Sequence, residues 1–109
     1  GMDRQLIRRL KSGKLPVDAV LDLHGMYQDE AHNRLENFLI QSIRNDLRLL
    51  LVITGKGRSG QGVLRGKVPL WLKQSPQSAN ILTATPASPR HGGSGAYYVY
   101  LRRKRDYRM

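Results

Sequence analysis

An aspartate and a histidine one residue apart, Asp22 and His24, form the pair in this sequence best suited to catalysis. If the segment is a strand, alternate side chains leave the same face, so the carboxylate and the imidazole are neighbours while Leu21 and Leu23 turn away. A carboxylate beside an imidazole fixes the tautomer of the imidazole and stabilises the protonated ring. Such a pair suits general acid–base catalysis of phosphodiester cleavage. The alternative is that Asp22 caps the next helix and His24 is a packing residue.

A glycine-punctuated basic loop is the second chemical feature, and it reads Thr54-Gly55-Lys56-Gly57-Arg58-Ser59-Gly60. Glycines let backbone N–H groups approach a phosphate closely, while the lysine and the arginine add positive charge. The loop lacks the spacing of a nucleotide-triphosphate P-loop and of a dinucleotide-binding helix, so neither an ATPase nor a dehydrogenase is indicated. Anion binding and an ordinary flexible turn both stay open.

A second histidine lies in the loop Arg90-His91-Gly92-Gly93, where His91 could donate a proton to a leaving oxygen and Arg90 could hold a phosphate. The third histidine, His32, lies outside the apolar stripe of a predicted helix and is expected to be solvated. Two histidines and one carboxylate could bind a metal, but no HxH or HExxH spacing accompanies them. We therefore predict no metal ligands.

The charge balance favours an anionic partner, because nineteen Lys and Arg against eight Asp and Glu leave a net charge of +11. Nucleic acid is the predicted partner rather than a membrane, since no membrane-binding amphipathic helix is evident. Arg102 and Arg103 open a cationic C-terminal stretch that could track phosphates. Tyr97, Tyr98 and Tyr100 could stack on bases or pack the sheet.

The elements predicted to position these groups alternate between strands and helices. Strands are predicted at 17–23, 49–53, 79–84 and 96–102, and helices at 31–43 and 63–73. This βαβαββ order predicts an α/β fold in which two helices pack on a mixed four-stranded sheet. Because ligands bind beyond the carboxyl ends of strands in open α/β sheets, Asp22, His24 and Lys56 are expected at one rim, together with His91.

We predict one domain over 17–104, a basic N-terminal arm over 1–16 and a basic tail over 105–109. Gly1 precedes Met2 and is interpreted as a tag remnant. The arm has a helical pattern, and it could dock on a partner or be a frayed terminus. The absence of cysteine, of a secretory signal and of a membrane-spanning apolar run predicts a cytoplasmic protein with no membrane partner.

Three segments together resemble the Smr, or small MutS-related, domain family. They are Leu21-Asp22-Leu23-His24-Gly25, then Thr54-Gly55-Lys56-Gly57, then His91-Gly92-Gly93-Ser94-Gly95-Ala96 leading into Tyr98-Val99-Tyr100-Leu101-Arg102. The resemblance covers about residues 19 to 104. It implies a fold similar to the C-terminal domain of bacterial translation initiation factor three. It also implies DNA nicking or endonuclease activity in some members and mRNA cleavage at stalled ribosomes in others.

Carried over by position, Asp22 and His24 match the family's DxH motif, which is taken as catalytic. Gly55, Lys56 and Gly57 match its glycine-lysine loop, whose implied role is substrate binding. Many relatives have histidine where this chain has Thr54, and His91 could take that place.

The sequence therefore predicts a nucleic-acid endonuclease in which His24 is the general acid or base and Asp22 orients it. Lys56 stabilises transition-state charge, and His91 or Arg90 assists. The predicted nucleic-acid contacts are Gly25, Thr54, Gly55, Gly57, Arg58, Arg90, Gly92, Gly93, Arg102 and Arg103.

RNA cleavage would require no cofactor, because the base could activate a 2′-hydroxyl, whereas DNA cleavage would call for a divalent metal such as Mg or Mn. The competing hypothesis is a non-catalytic module that binds nucleic acid or the ribosome through the same rim. A protein-only adaptor is a third, but it leaves the Asp-x-His pair unused. The sequence predicts no oligomeric state.

Overall fold

A single mixed sheet of four strands is the centre of the fold. The strands are β1 (Ala19–Asp22), β2 (Leu49–Ile53), β3 (Ile81–Pro86) and β4 (Ala96–Leu101). Their order across the sheet is β1, β2, β4, β3, with β1 parallel to β2 and β4 antiparallel to both of its neighbours. Strand β3 therefore runs in the same direction as β1 and β2, as helical crossover connections require. The computed structural model describes residues 4–56 and 62–103.

Three helices accompany the sheet in the described residues, namely α1 (Arg4–Ser12), α2 (Gln28–Arg44) and α3 (Val63–Gln74). From β1 onward the elements follow the predicted βαβαββ order, so the predicted mixed α/β fold is confirmed. Helix α1 precedes that order as a third helix. None of the helices in the described part of the chain is both long and apolar enough to cross a membrane.

Helices α2 and α3 cover one face of the sheet and form the larger core. The predicted apolar stripe of α2 is buried there, with Leu35 and Leu39 fully inaccessible to solvent. Leu50 and Val52 of β2 point into this core, whereas Leu49 and Leu51 point to the other face. Strand β2 is thus covered on both sides, as its uninterrupted apolar run predicts.

Helix α1 covers part of the opposite face. Its Leu10 is 1% exposed and packs in a second apolar cluster with Leu49, Leu51 and Tyr98. The N-terminal segment predicted as a basic arm is therefore a helix docked on this chain's own sheet. The edge strand β1 is left open on this face, where Val20 is 56% exposed.

Pro69 lies inside α3, and the sheet compensates for the backbone hydrogen bond that it removes. A proline has no N–H to donate to the carbonyl four residues earlier, which here belongs to Arg65. The hydroxyl of Tyr97 donates to that carbonyl oxygen at 2.7 Å. The helix therefore continues through the proline and is fastened to β4 at the same point.

Candidate active site

The carboxyl end of β1 brings the Asp22 carboxylate and the His24 imidazole together. His24 Nδ1 lies 2.6 Å from Asp22 Oδ1, and the same oxygen accepts the His24 backbone N–H at 3.0 Å. Leu21 and Leu23 are buried on the other face, as the alternation predicts. The side chains of Asp22 and His24 are 47% and 70% exposed, so the second ring nitrogen, Nε2, is available to a substrate.

The alternative reading of this pair does not hold. Helix α2 has Tyr27 at its N-cap with no side-chain capping bond, so Asp22 does not cap it. His24 is exposed rather than packed in the core. The carboxylate is instead bound to the ring and the backbone of the histidine two residues later.

The Asp22 carboxyl has a lowered pKa. Partial burial would by itself raise it, but three contributions from His24 outweigh that effect: the side-chain hydrogen bond, the backbone hydrogen bond and the charge of the ring. A carboxyl whose pKa is lower in the folded state stabilises the fold above its unfolded pKa, and that contribution disappears as the pH falls through the folded pKa. The pair is therefore expected to persist into mildly acidic solution.

We expect His24→Ala to raise the pKa of Asp22 above its wild-type value, because the side-chain hydrogen bond and the charge of the ring are lost while the backbone N–H of residue 24 remains. The measurement is an NMR titration of the Asp22 side-chain carbonyl carbon. His32→Ala is the matched control, since it removes a histidine that contacts Trp71 rather than Asp22. A titration of Asp22 that is the same in wild type and His24→Ala would contradict the described pairing.

The glycine-lysine loop packs directly against His24 and against the loop before β4. Gly95 accepts backbone N–H donors from Thr54 at 2.9 Å and from Gly55 at 3.0 Å. Gly55 has φ +77°, a conformation that favours glycine, and a Cβ there would lie 3.4 Å from the His24 Cβ. Lys56 is exposed and follows directly. The lysine is thus held beside the Asp22–His24 pair.

Gly95→Ala is expected to destabilise the fold by about 1–3 kcal/mol, as overpacking in a tight contact usually does. An added Cβ would lie 3.1 Å from Lys56 Cγ and 3.2 Å from the Gly55 carbonyl carbon, so the loop must shift. Gly66→Ala is the control, because nothing lies within 4 Å of a Cβ there. Chemical denaturation should separate the two variants, and equal stabilities would contradict the tight packing at Gly95.

The loop between β3 and β4 holds His91 through a buried tyrosine. His91 Nδ1 lies 2.5 Å from the hydroxyl oxygen of Tyr98, whose side chain is 1% exposed. In His91, as in His24, Nδ1 is therefore held by a hydrogen bond, and Nε2 is the nitrogen left to contact a substrate. Sequence reasoning missed this role for Tyr98, although the alternation in β4 predicts that it faces away from Tyr97, Val99 and Leu101.

His91 and Asp22 lie on the same face of the sheet. Asp22 is in register with Ile53, which is in register with Ala96, so the three occupy adjacent strands. A Cβ on Gly92 would lie 3.1 Å from the Ala96 Cβ, which places the His91 loop over β4. Two strand spacings separate β1 from β4, or about 10 Å. We call Asp22, His24, Lys56 and His91 the strand-end rim.

The other predicted contacts divide between this rim and remote positions. Gly25 directly follows His24, and Arg90, Gly92 and Gly93 belong to the His91 loop, where Arg90 is exposed. Thr54 is only 6% exposed, and its hydroxyl lies 2.9 Å from the Gly55 carbonyl oxygen, so it supports the loop.

The predictions for Gly57 and Arg58 fall outside the described residues.

Arg102 and Arg103 are not part of the rim. They follow the far end of β4, about 20 Å from the rim end of that strand at 3.3 Å per residue. Arg102 Nε donates to the carbonyl oxygen of Ala79 at 3.1 Å. Strand β4 thus carries the chain away from Asp22, and the contact of Arg102 and Arg103 with nucleic acid stays a prediction.

The tyrosines of β4 serve the fold. Tyr97 binds the Arg65 carbonyl, Tyr98 is buried, and the Arg48 guanidinium lies 4.8 Å from the centre of the Tyr100 ring. The packing alternative thus fits these rings better than base stacking. His32, expected to be only solvated, is exposed and also stacks flat on Trp71, with ring centres 4.5 Å apart.

The residues present do not fit a resident metal. Across residues 4–56 and 62–103, no three His, Asp or Glu side chains are grouped so that they could hold an ion. Asp22 Oδ1 is also engaged by two donors from His24. The groups that the rim itself offers are two imidazoles, a carboxylate and an ammonium group.

Comparison with curated proteins gives close matches over nearly the whole chain. The probable DNA endonuclease SmrA of Escherichia coli (strain K12) is 36% identical over 94% of this chain and 55% of its own length. The ribosome rescue factor SmrB of Aliivibrio salmonicida (strain LFI1238) is 34% identical over 93% of this chain and 54% of its own. The chain thus spans about half the length of the curated relatives it matches.

Two solved structures share the fold. YdaL, a stand-alone small MutS-related protein from Escherichia coli, is 35% identical with a TM-score of 0.78, covering 94% of this chain and 79% of that one. The Smr domain of Thermus thermophilus MutS2 is 26% identical with a TM-score of 0.66, covering 77% of this chain and 98% of that one. The model of the Smr domain family matches residues 21–102, from within β1 to the residue after β4. This chain therefore belongs to the Smr domain family.

Proposed function

We propose that this chain is an endonuclease that cleaves phosphodiester bonds at the strand-end rim, with RNA as the preferred substrate. The observation that carries the proposal is the Asp22–His24 contact of 2.6 Å at an exposed strand end. Asp22 engages Nδ1, which leaves Nε2 as the atom that exchanges a proton with the substrate. An oriented, solvent-accessible imidazole is what general acid–base catalysis needs.

His24 acts as the base in this proposal and His91 as the acid. His24 Nε2 takes the proton of a ribose 2′-hydroxyl, and the 2′-oxygen attacks the adjacent phosphorus. The bond from phosphorus to the 5′-oxygen breaks, and His91 Nε2 protonates that oxygen. The products are a 2′,3′-cyclic phosphate and a 5′-hydroxyl. The strands β1 and β4, which lead to the two loops, lie about 10 Å apart, and we propose that one phosphodiester binds between the two imidazoles.

Positive charge at the rim would stabilise the transition state. Lys56 is exposed and held against Gly95, beside His24. Arg90 is exposed next to His91. Both can approach the equatorial phosphate oxygens, where negative charge increases during attack. The backbone N–H groups of Gly25, Gly92 and Gly93 are proposed as further phosphate donors.

The relatives support nucleic acid as the substrate class. SmrA is named a probable DNA endonuclease, and SmrB is named a ribosome rescue factor. We propose that RNA, including mRNA on ribosomes in the cytoplasm, is cleaved without a cofactor. DNA lacks the 2′-hydroxyl, so its cleavage would call for a divalent ion such as Mg or Mn that activates a water.

A cleavage panel tests this proposal. Single- and double-stranded RNA and DNA are incubated with the wild-type chain, with and without EDTA, and the product ends are identified. We expect RNA to be cut in EDTA with 2′,3′-cyclic phosphate ends. Cleavage that is confined to DNA and is abolished by EDTA would overturn the proposed chemistry.

A non-catalytic module that binds nucleic acid or the ribosome is the second candidate. It is favoured by the net charge of +11 and by the exposed Lys56 and Arg90 at one rim, which binding alone would use. It predicts affinity that falls steeply with salt and no turnover of any substrate in the panel. Turnover that depends on His24 would rule it out.

A further inference from the structure

An open cleft lies next to the strand-end rim on the α2 and α3 side of the chain. Its lining includes Gly25, Tyr27 and Asp29 around the start of α2, and Thr54, Val63 and Leu64. Its volume of about 660 Å³ falls within the range of small-ligand pockets. Gly25 joins the cleft directly to His24, so a nucleotide bound at the rim would have its neighbouring base within reach.

Tyr27 is unusual in this cleft because its side chain is 87% exposed. Aromatic rings generally bury most of their surface, and the β4 tyrosines described above are packed in the fold. Tyr27 is the N-cap of α2, yet its side chain makes no capping hydrogen bond. Val63, 40% exposed, also lines the cleft and adds apolar surface. A flat ring and an aliphatic wall suit a planar, partly apolar guest.

The cleft and the strand-end rim carry different charged groups. Among its described lining residues there is a carboxylate, Asp29, and no Lys or Arg. Lys56 and Arg90 at the rim attract a phosphate, whereas the cleft offers the Asp29 carboxylate. A base has no net charge, and its N–H groups can donate to a carboxylate.

We propose that this cleft is a nucleobase subsite in which Tyr27 stacks on the base flanking the cleaved phosphodiester. This inference rests on the proposed function and narrows its substrate. A base inside a duplex is stacked and paired, so it cannot lie on Tyr27 without being extruded. The preferred substrate is therefore an unpaired strand.

Binding measurements with an uncleavable probe test the subsite apart from catalysis. The probe is a short fluorescent single strand of 2′-O-methyl RNA, which lacks the free 2′-hydroxyl, and its partner is an abasic strand of the same length. Fluorescence anisotropy gives the affinity of wild type, Tyr27→Ala, Tyr27→Phe and Leu70→Ala for each strand. Leu70→Ala is the matched control, because Leu70 is 43% exposed in α3 and does not line the cleft.

We expect Tyr27→Ala to bind the base-bearing strand about tenfold more weakly and the abasic strand as wild type does. Tyr27→Phe keeps the ring and should bind both strands like wild type, as should Leu70→Ala. The subsite is overturned if Tyr27→Ala retains full affinity, if it weakens both strands equally, or if wild type does not distinguish them. This experiment measures binding and not cleavage. If the cleavage panel shows no activity but affinity still depends on Tyr27, the proposed nuclease is refuted and the subsite is supported.

Discussion

Replacing His24 with alanine is expected to slow RNA cleavage by about 10²- to 10⁴-fold, the usual contribution of a positioned acid or base. The ring supplies the only proton acceptor proposed for the 2′-hydroxyl, and its orientation depends on the 2.6 Å contact with Asp22. Asp22→Ala should therefore also slow the reaction, because the ring loses the partner that fixes its tautomer. Single-turnover rates measure both effects without interference from product release.

His32→Ala is the control for these rates, since His32 is exposed and stacks on Trp71, away from the rim. It should cleave at the wild-type rate. Binding of an uncleavable strand should stay nearly unchanged in His24→Ala, which separates chemistry from affinity. If His24→Ala and His32→Ala were equally active, the assignment of the base would be refuted.

Leu10→Ala is expected to destabilise the protein by about 2–5 kcal/mol, the range found when a buried leucine is truncated. Leu10 is 1% exposed and joins α1 to Leu49, Leu51 and Tyr98 in the second core. Loss of its side chain leaves a cavity beneath the helix. The free energy of unfolding from urea denaturation measures the effect.

Leu70→Ala is the matched control for the loss of a leucine, because Leu70 is 43% exposed. Surface substitutions of this kind usually change stability by no more than about 0.5 kcal/mol. Equal stability of Leu10→Ala and wild type would mean that α1 is not docked. Helix α1 precedes residues 21–102, which the Smr domain model matches, so the result tests a packing contact made by a helix outside the matched region.

Periodicity and spacing predicted the parts of the fold that depend on local pattern. The stripe containing Leu35 and Leu39 gave the position of α2, and the apolar run 49–53 gave a strand covered on both faces. The alternation around Asp22 and His24 predicted their contact, because side chains two apart in a strand share a face.

Docking of α1 could not be predicted in the same way. A short basic helix with a few leucines has the same sequence pattern whether it packs on a sheet or lies in solvent. Its docking depends on the apolar face of β2 and β4 that α2 and α3 do not cover. The insertion of β4 between β2 and β3 is equally non-local. Strand β4 begins at the rim and ends at Leu101, so Arg102 lies away from the rim, and the charge pattern alone could not indicate this.

Two features of the candidate site also depended on tertiary structure. The contact between His91 and Tyr98 joins residues in a loop and a buried strand position, and neither residue signals the other in the sequence. Tyr27 belongs to none of the catalytic or basic motifs in the sequence. Its 87% exposure, together with its place in the lining of the cleft, is what indicates a binding role.

The central claim is that the Asp22–His24 pair cleaves phosphodiester bonds, and one comparison tests it most directly. An end-labelled single-stranded RNA is incubated in EDTA with wild type and with His24→Ala under single-turnover conditions. The account predicts cleavage by wild type, with 2′,3′-cyclic phosphate ends, and a rate at least about 10²-fold lower in the variant. Equal rates in the two proteins, or no cleavage by wild type, would contradict it.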